Sequence, residues 1–135
     1  MDPLILIVDD RREDVDLTEI ALSMLGCEFR TESVSTGELA VDYLEAAEQL
    51  PALILLDLKM PGMGGIETLR RIRADERLKN IPVVIVTCSI LESDVQKSRE
   101  AGATGFVHKA IRINEFSQDL GRHVKCWIAS SCLQE

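Results

Sequence analysis

No apolar run in the sequence approaches the ~18–20 residues that a helix needs to cross a bilayer. The amino terminus, MDPLILIVDD, opens with an acid and lacks the basic n-region of a secretory signal. A basic footprint is missing too. Fifteen basic residues stand against 23 acidic ones, a net charge of −8, which argues against nucleic-acid binding. That surplus suits solubility and attraction to cations or to a basic partner surface. The four cysteines, Cys27, Cys88, Cys126 and Cys132, form no CxxC pair and no zinc spacing. They read as small packing residues in a reduced, cytoplasmic protein. Linkers, internal repeats and low-complexity segments are absent.

What is present is a chain of 135 residues, 46% apolar and 28% charged, the size and composition of one globular domain spanning 1–135. Apolar runs alternate with helical patterns throughout. PLILIV (3–8), EFRTESV (28–34), ALILL (52–56), IPVVIVT (81–87) and FVH (106–108) read as strands, the second of them more exposed. Between and after them lie helical stripes: Leu17, Ile20, Ala21, Met24 and Leu25; then Ala40, Tyr43, Leu44 and Ala47; then Ile66, Leu69 and Ile72. A weakly apolar helix precedes Ala101, and Phe116, Leu120, Val124 and Trp127 mark a last one. Ser35 with Glu38, Ser89 with Glu92, and Asn114 are candidate helix caps. Strands separated by single helices imply a parallel sheet covered on both faces. The expected architecture is α/β, a flavodoxin-like doubly wound five-stranded sheet of order 2-1-3-4-5 with five helices.

Such sheets carry their chemistry at the carboxyl ends of the strands. There the sequence places Asp9 and Asp10, Asp57, Thr87, and His108 with Lys109. Each has an ordinary explanation alone. Asp10 could cap a helix with Glu13 three residues on, Asp57 could open a turn, Thr87 could fill a strand, and Lys109 could protect an edge. Together they put three carboxylates, a hydroxyl and an ammonium at one edge. Close carboxylates repel one another unless protons or a hard cation intervene, and Mg²⁺ characteristically takes one or two carboxylates. A carboxylate beside such a cation, with a lysine and a hydroxyl nearby, is suited to accept a phosphoryl group.

IVDD, LILLDLKMPGMGG, VVIVT and GFVHK, in this order, resemble the response-regulator receiver domain, the acceptor half of two-component signalling, of which the chemotaxis receiver CheY is a flavodoxin-like example. The likeness covers about Leu4 to Trp127. It implies that Asp57 accepts the phosphoryl group and that Asp9, Asp10, Asp57 and the backbone carbonyl of Lys59 hold Mg²⁺. It implies that Lys109 and Thr87 stabilise the phosphoryl group. Thr87 and Phe106 then form a switch that reshapes the face made by the fourth helix, fifth strand and fifth helix. The donor would be a sensor histidine kinase, and the outlet a downstream protein target or a histidine phosphotransfer protein, with no output domain, nucleic acid or membrane involved. Such a protein is a self-phosphorylating and self-dephosphorylating switch, not a turnover enzyme. TCSILESDV and INEFSQDLGRHVKCWI resemble the small receivers that serve bacterial phytochromes, which implies a phytochrome-type kinase and a homodimer through that same face. The alternative for the last helix is that its apolar residues simply pack on the sheet.

Three departures from the family pattern carry expectations. The residue after the lysine is Ala110 where the family has a proline joined by a cis bond. A cis bond before a non-proline residue costs ~2.5–4 kcal/mol, so a trans Lys109–Ala110 bond and a re-aimed Lys109 are expected. Gly62 and Gly64 loosen the loop after Asp57. Lys59 and Ser89, two positions beyond Asp57 and Thr87, offer no carboxylate or amide to position a water, which implies a phosphoryl group lasting minutes or longer. His108 and His123 read as surface residues. A haloacid-dehalogenase phosphatase would need an aspartate where Lys59 stands. A receiver that works unphosphorylated, as a scaffold, is the remaining alternative.

Overall fold

Leucine, isoleucine and valine run unbroken for four or five residues at a time, and each run is a strand: β1 (Leu4–Val8), β3 (Leu53–Leu56) and β4 (Val83–Thr87). All three are buried throughout, as central strands of a parallel sheet covered on both faces must be. The more polar β2 (Arg30–Val34) and the short β5 (Gly105–His108) take the two edges. Every pairing is parallel and the order is β2-β1-β3-β4-β5, as expected. The computed structural model describes residues 2–89, 91–109 and 112–128. The helices among them are α1 (Arg12–Ser23), α2 (Gly37–Ala46), α3 (Gly65–Ala74), α4 (Glu92–Glu100) and α5 (Ile113–Trp127). No helix among the described residues is long and apolar enough to cross a membrane.

The pleat sorts the core into two layers. Ile5, Ile7, Leu53, Leu55, Val84, Val86 and Val107 face α1 and α5, meeting Ala21, Leu22, Phe116, Leu120 and Val124. Leu6, Val8, Ile54, Leu56, Val83 and Ile85 face the other way, onto Ala40 and Leu44 of α2 and Leu69 and Ile72 of α3. Burying these side chains contributes about 1.5–3 kcal/mol each before chain entropy is set against it.

Several local expectations are corrected. In α1 the buried stripe is Val15, Thr18, Ala21 and Leu22, while Ile20 and Met24 are about half exposed. Thr18, which is not part of the expected apolar stripe, lies three residues from Val15 and takes a core position. In α5, Phe116, Leu120 and Val124 are buried, but Trp127 is exposed and Ile128 takes the inner position. Thr36, not Ser35, caps α2, its hydroxyl accepting from the Leu39 N–H. The residues preceding α4 and α5 are Leu91 and Arg112 rather than Ser89 and Asn114. Asp10 does not cap α1, whose N-cap is Arg11. Cys88 and Cys126 are exposed rather than packed, and Cys27, half-buried against the core, is disulfide-bonded rather than a reduced packing thiol. His108 is exposed as expected, but His123 is half-buried, with its ring against Gly105. The Lys109–Ala110 bond and Cys132 lie outside the described residues.

Candidate functional site

Backbone pairing continues one residue past the strands and fixes the site. The Asp9 N–H donates to Val34 O, the Asp57 N–H to Val8 O, and the Lys109 N–H to Thr87 O, at 3.1, 2.9 and 2.8 Å. The alternation of the pleat then decides direction. Asp9, Asp57 and Lys109 follow Ile7, Leu55 and Val107 on the side covered by α1 and α5. Thr87 follows Val83 and Ile85 on the opposite side, which Phe106 shares.

Asp9, Asp57, Thr87 and Lys109 are all buried, while Asp10 is exposed at the rim. Asp9, Asp10 and Asp57 each present a carboxylate oxygen, all within 4.8 Å of one another. The Lys109 ammonium reaches Asp9 Oδ2 at 2.7 Å and Asp14 Oδ2 at 3.0 Å, with Asp57 Oδ1 farther off at 3.7 Å. The second oxygen of Asp9 accepts from the Arg11 N–H at 3.0 Å. A cleft of about 390 Å³ opens onto Asp10, Asp14, Asp57, Lys59, Thr87 and Lys109.

Burial is the largest influence on Asp57 and raises its pKa. The Lys109 charge pulls the other way, the Asp9 charge adds to the rise, and the carboxyl is pushed up to about 6. For Lys109, burial works against the charge. Its hydrogen bond to Asp9, the charge of Asp57 and its hydrogen bond to Asp14 outweigh that, so its pKa stands above the ordinary lysine value. The site therefore holds a dependable cation beside a carboxylate under electrostatic tension.

The loop after β3 aims Asp57. Gly65 opens α3 directly beneath it, where an added Cβ would fall 2.3 Å from the Asp57 carbonyl oxygen and 2.7 Å from Leu58 Cα. Gly62 has φ +73°, the left-handed region that glycine occupies without strain. This loop is less loose than its glycines suggest, because Glu38 of α2 accepts from the Met63 N–H at 3.1 Å.

The comparisons with known proteins agree with this geometry. The family model described as the response regulator receiver domain matches residues 5–120. The chain belongs to the response regulator receiver domain family. The polar-differentiation response regulator DivK of Brucella ovis is 31% identical over 116 residues, covering 86% of this chain and 91% of DivK. Among solved structures, the phosphorylated cyanobacterial phytochrome response regulator RcpA matches with a TM-score of 0.86 and 29% identity, covering 100% of both chains. The Mn²⁺-bound form of response regulator Rcp1 matches with a TM-score of 0.82 and 28% identity, covering 98% of this chain and 99% of Rcp1. Relatives of this receiver are response regulators of two-component systems, in which receiver domains partner with histidine kinases.

In this receiver the residues expected at the site do converge: Asp9, Asp10, Asp57, Lys59, Thr87 and Lys109 border one cleft or touch one another. Phe106 stands apart, half-buried beside Val95, Ser98 and Arg99, and lines a cavity of about 270 Å³ between α4 and β5. The residues buried on α4 are Asp94 and Ser98, both polar. Ser89 donates to Asp94 Oδ2 and accepts from the Leu91 N–H, and the Lys59 ammonium lies 3.3 Å from the same carboxylate oxygen.

Sequence reasoning did not single out Asp14, Asp94 or Glu38 as partners of the site. Asp14 of α1 meets Lys109 across 95 residues of sequence, which no local spacing signals. Asp94 and Glu38 act across distant segments, and no local pattern announces them.

Proposed function

We propose that this receiver accepts a phosphoryl group on Asp57 from a sensor histidine kinase and answers by changing the surface formed by α4, β5 and α5. The observation that carries the reading is the Asp57 carboxylate at the end of a buried strand, with Asp9 and Asp10 within 4.8 Å and the buried Lys109 ammonium 3.7 Å away. Asp57 attacks the phosphorus of a phosphohistidine. The P–N bond breaks as the new P–O bond forms, and the electron pair leaves with the imidazole. Lys109 meets the charge on the phosphoryl oxygens, and Thr87 offers its hydroxyl from the opposite face of the sheet.

The donor set fits a hard divalent cation, Mg²⁺ in our reading. Three close carboxylates supply oxygen ligands only, as such cations prefer, and the electrostatic tension on Asp57 favours a positive charge beside it. Asp9, Asp10, Asp57 and the Lys59 carbonyl would hold the cation, which when bound supplies charge neutralisation for phosphoryl transfer. The Mn²⁺-bound state of Rcp1 supports this assignment.

Readout runs through Thr87 and Phe106 to α4. The new charge biases two packings of a helix whose buried side chains are polar. The likeness to RcpA supports a phytochrome-type kinase as donor. Trp127, 44% exposed at the end of α5, supports homodimerisation through the α4, β5 and α5 face. A histidine phosphotransfer protein or a downstream target receives the signal, and the receiver is a switch rather than a turnover enzyme, working in the cytoplasm.

Intact mass after incubation with acetyl phosphate and Mg²⁺ tests the reading, run beside Asp57→Asn. A gain of ~80 Da, one phosphoryl group, is expected in the parent alone. If Mg²⁺ binds but neither acetyl phosphate nor a panel of histidine kinases adds mass, the receiver is a phosphorylation-independent scaffold.

A further inference from the structure

The Lys109 ammonium has three N–H donors and faces three carboxylates. Two of these contacts are hydrogen bonds, to Asp9 at 2.7 Å and Asp14 at 3.0 Å. The third, Asp57 at 3.7 Å, lies beyond hydrogen-bond range. The resting lysine is therefore drawn to the α1 side of the cleft, away from the residue read as the phosphoryl acceptor. Asp9 belongs to the three-carboxylate cluster and would be shared with a bound cation. Asp14 does not belong to it. It projects from the first turn of α1, its side chain is 20% exposed, and its other charged neighbour, Arg11 Nε, lies at 3.7 Å. Among the described residues it is the one hydrogen-bonded carboxylate on Lys109 outside that cluster.

We propose that Asp14 is a positioning residue acting through Lys109. It anchors the ammonium on α1 in the resting receiver and competes for it with the phosphoryl group on Asp57. The inference rests on the reading of Asp57 as acceptor. Two consequences of the geometry oppose each other. Removing the Asp14 charge frees Lys109 for an anionic group on Asp57 and lessens repulsion of that anion. The same change makes the cleft less negative and so less attractive to a divalent cation.

Isothermal titration of the full chain with Mg²⁺, and then with beryllofluoride as the phosphoryl mimic in saturating Mg²⁺, separates these effects. Asp14→Asn is expected to bind beryllofluoride roughly three- to tenfold more tightly and Mg²⁺ roughly two- to threefold more weakly. Asp14→Glu keeps the charge and should stay within about twofold of the parent for both. In a Lys109→Met background, most of the gain from Asp14→Asn should disappear. A purely structural acid in the first turn of a helix would change the melting temperature without moving the two affinities in opposite directions. Unchanged or weaker beryllofluoride binding by Asp14→Asn, or an equal gain without Lys109, overturns the inference and leaves the proposed function standing. A parent that takes neither beryllofluoride nor a phosphoryl group from acetyl phosphate overturns both.

Discussion

The Lys59 ammonium lies 3.3 Å from the Asp94 carboxylate, which ties the loop after β3 to the first turn of α4. Ser89 shares that carboxylate. Lys59 and Ser89 are thus both engaged with Asp94, and neither is a carboxylate or amide that would orient a water on Asp57. The phosphoryl group should therefore last minutes or longer in Mg²⁺. Loss of the mass increment after donor removal measures this, and decay within seconds would show that another group directs the water.

Asp94 also gives a pH signature. The hydrogen bond from Ser89 is the largest influence on its carboxyl and holds it below the ordinary aspartate value, with Lys59 adding to the effect. An acid whose folded pKa is depressed contributes stability above its unfolded pKa and loses that contribution as pH falls through the folded one. Asp94→Asn should lower stability by about 1 kcal/mol at neutral pH. The gap should shrink as denaturation is followed down through the acid range below about pH 4.

Asp57 has the opposite sign. Its pKa is raised from 3.8 to about 6, so the folded receiver binds more protons than the unfolded chain across that window. Stability contributed by this group falls as pH rises from about 4 to 6. In the absence of divalent cations, Asp57→Asn should be more stable than the parent by about 1–3 kcal/mol at neutral pH, with the difference vanishing near pH 4. Adding Mg²⁺ should raise the melting temperature of the parent more than that of the variant. Urea titrations over this pH range, with and without Mg²⁺, check both statements.

The glycines after Asp57 are not equivalent. A Cβ on Gly65 meets the backbone of Asp57 and Leu58 at 2.3–2.7 Å, whereas one on Gly64 finds nothing closer than Leu58 O at 3.5 Å. Gly65→Ala should cost about 1–3 kcal/mol and slow phosphorylation by displacing Asp57. Gly64→Asp should be tolerated in thermal melts, and its phosphorylation rate should stay close to that of the parent.

The strands were legible because β1, β3 and β4 are buried on both faces and so need unbroken apolar runs. The polar residue that stops each run marked the site, which is why Asp57, Thr87 and Lys109 could be named from their positions alone. Helix faces were harder to read. Thr18 takes a core place while Ile20 turns outward, and counting apolar residues cannot anticipate the exchange. Caps failed for a related reason: Glu38 and Ser89 have the residue types of a local cap but spend their side chains on Met63 and on Leu91 with Asp94. Asp14 escaped because its partner Lys109 is 95 residues away, beyond the reach of any local pattern.

The sorting of site residues by the pleat makes strand length a reading frame. Asp9, Asp57 and Lys109 share one face and Thr87 the other only because each stands an even or odd number of steps from its strand's core residues. Deleting Val83 alone would keep nearly the whole composition, yet it would turn Thr87 to the face of Asp57 and bring Val84 and Val86 round to α3. Substitutions at this edge alter the chemistry one group at a time, whereas a single insertion or deletion rewrites which face performs it.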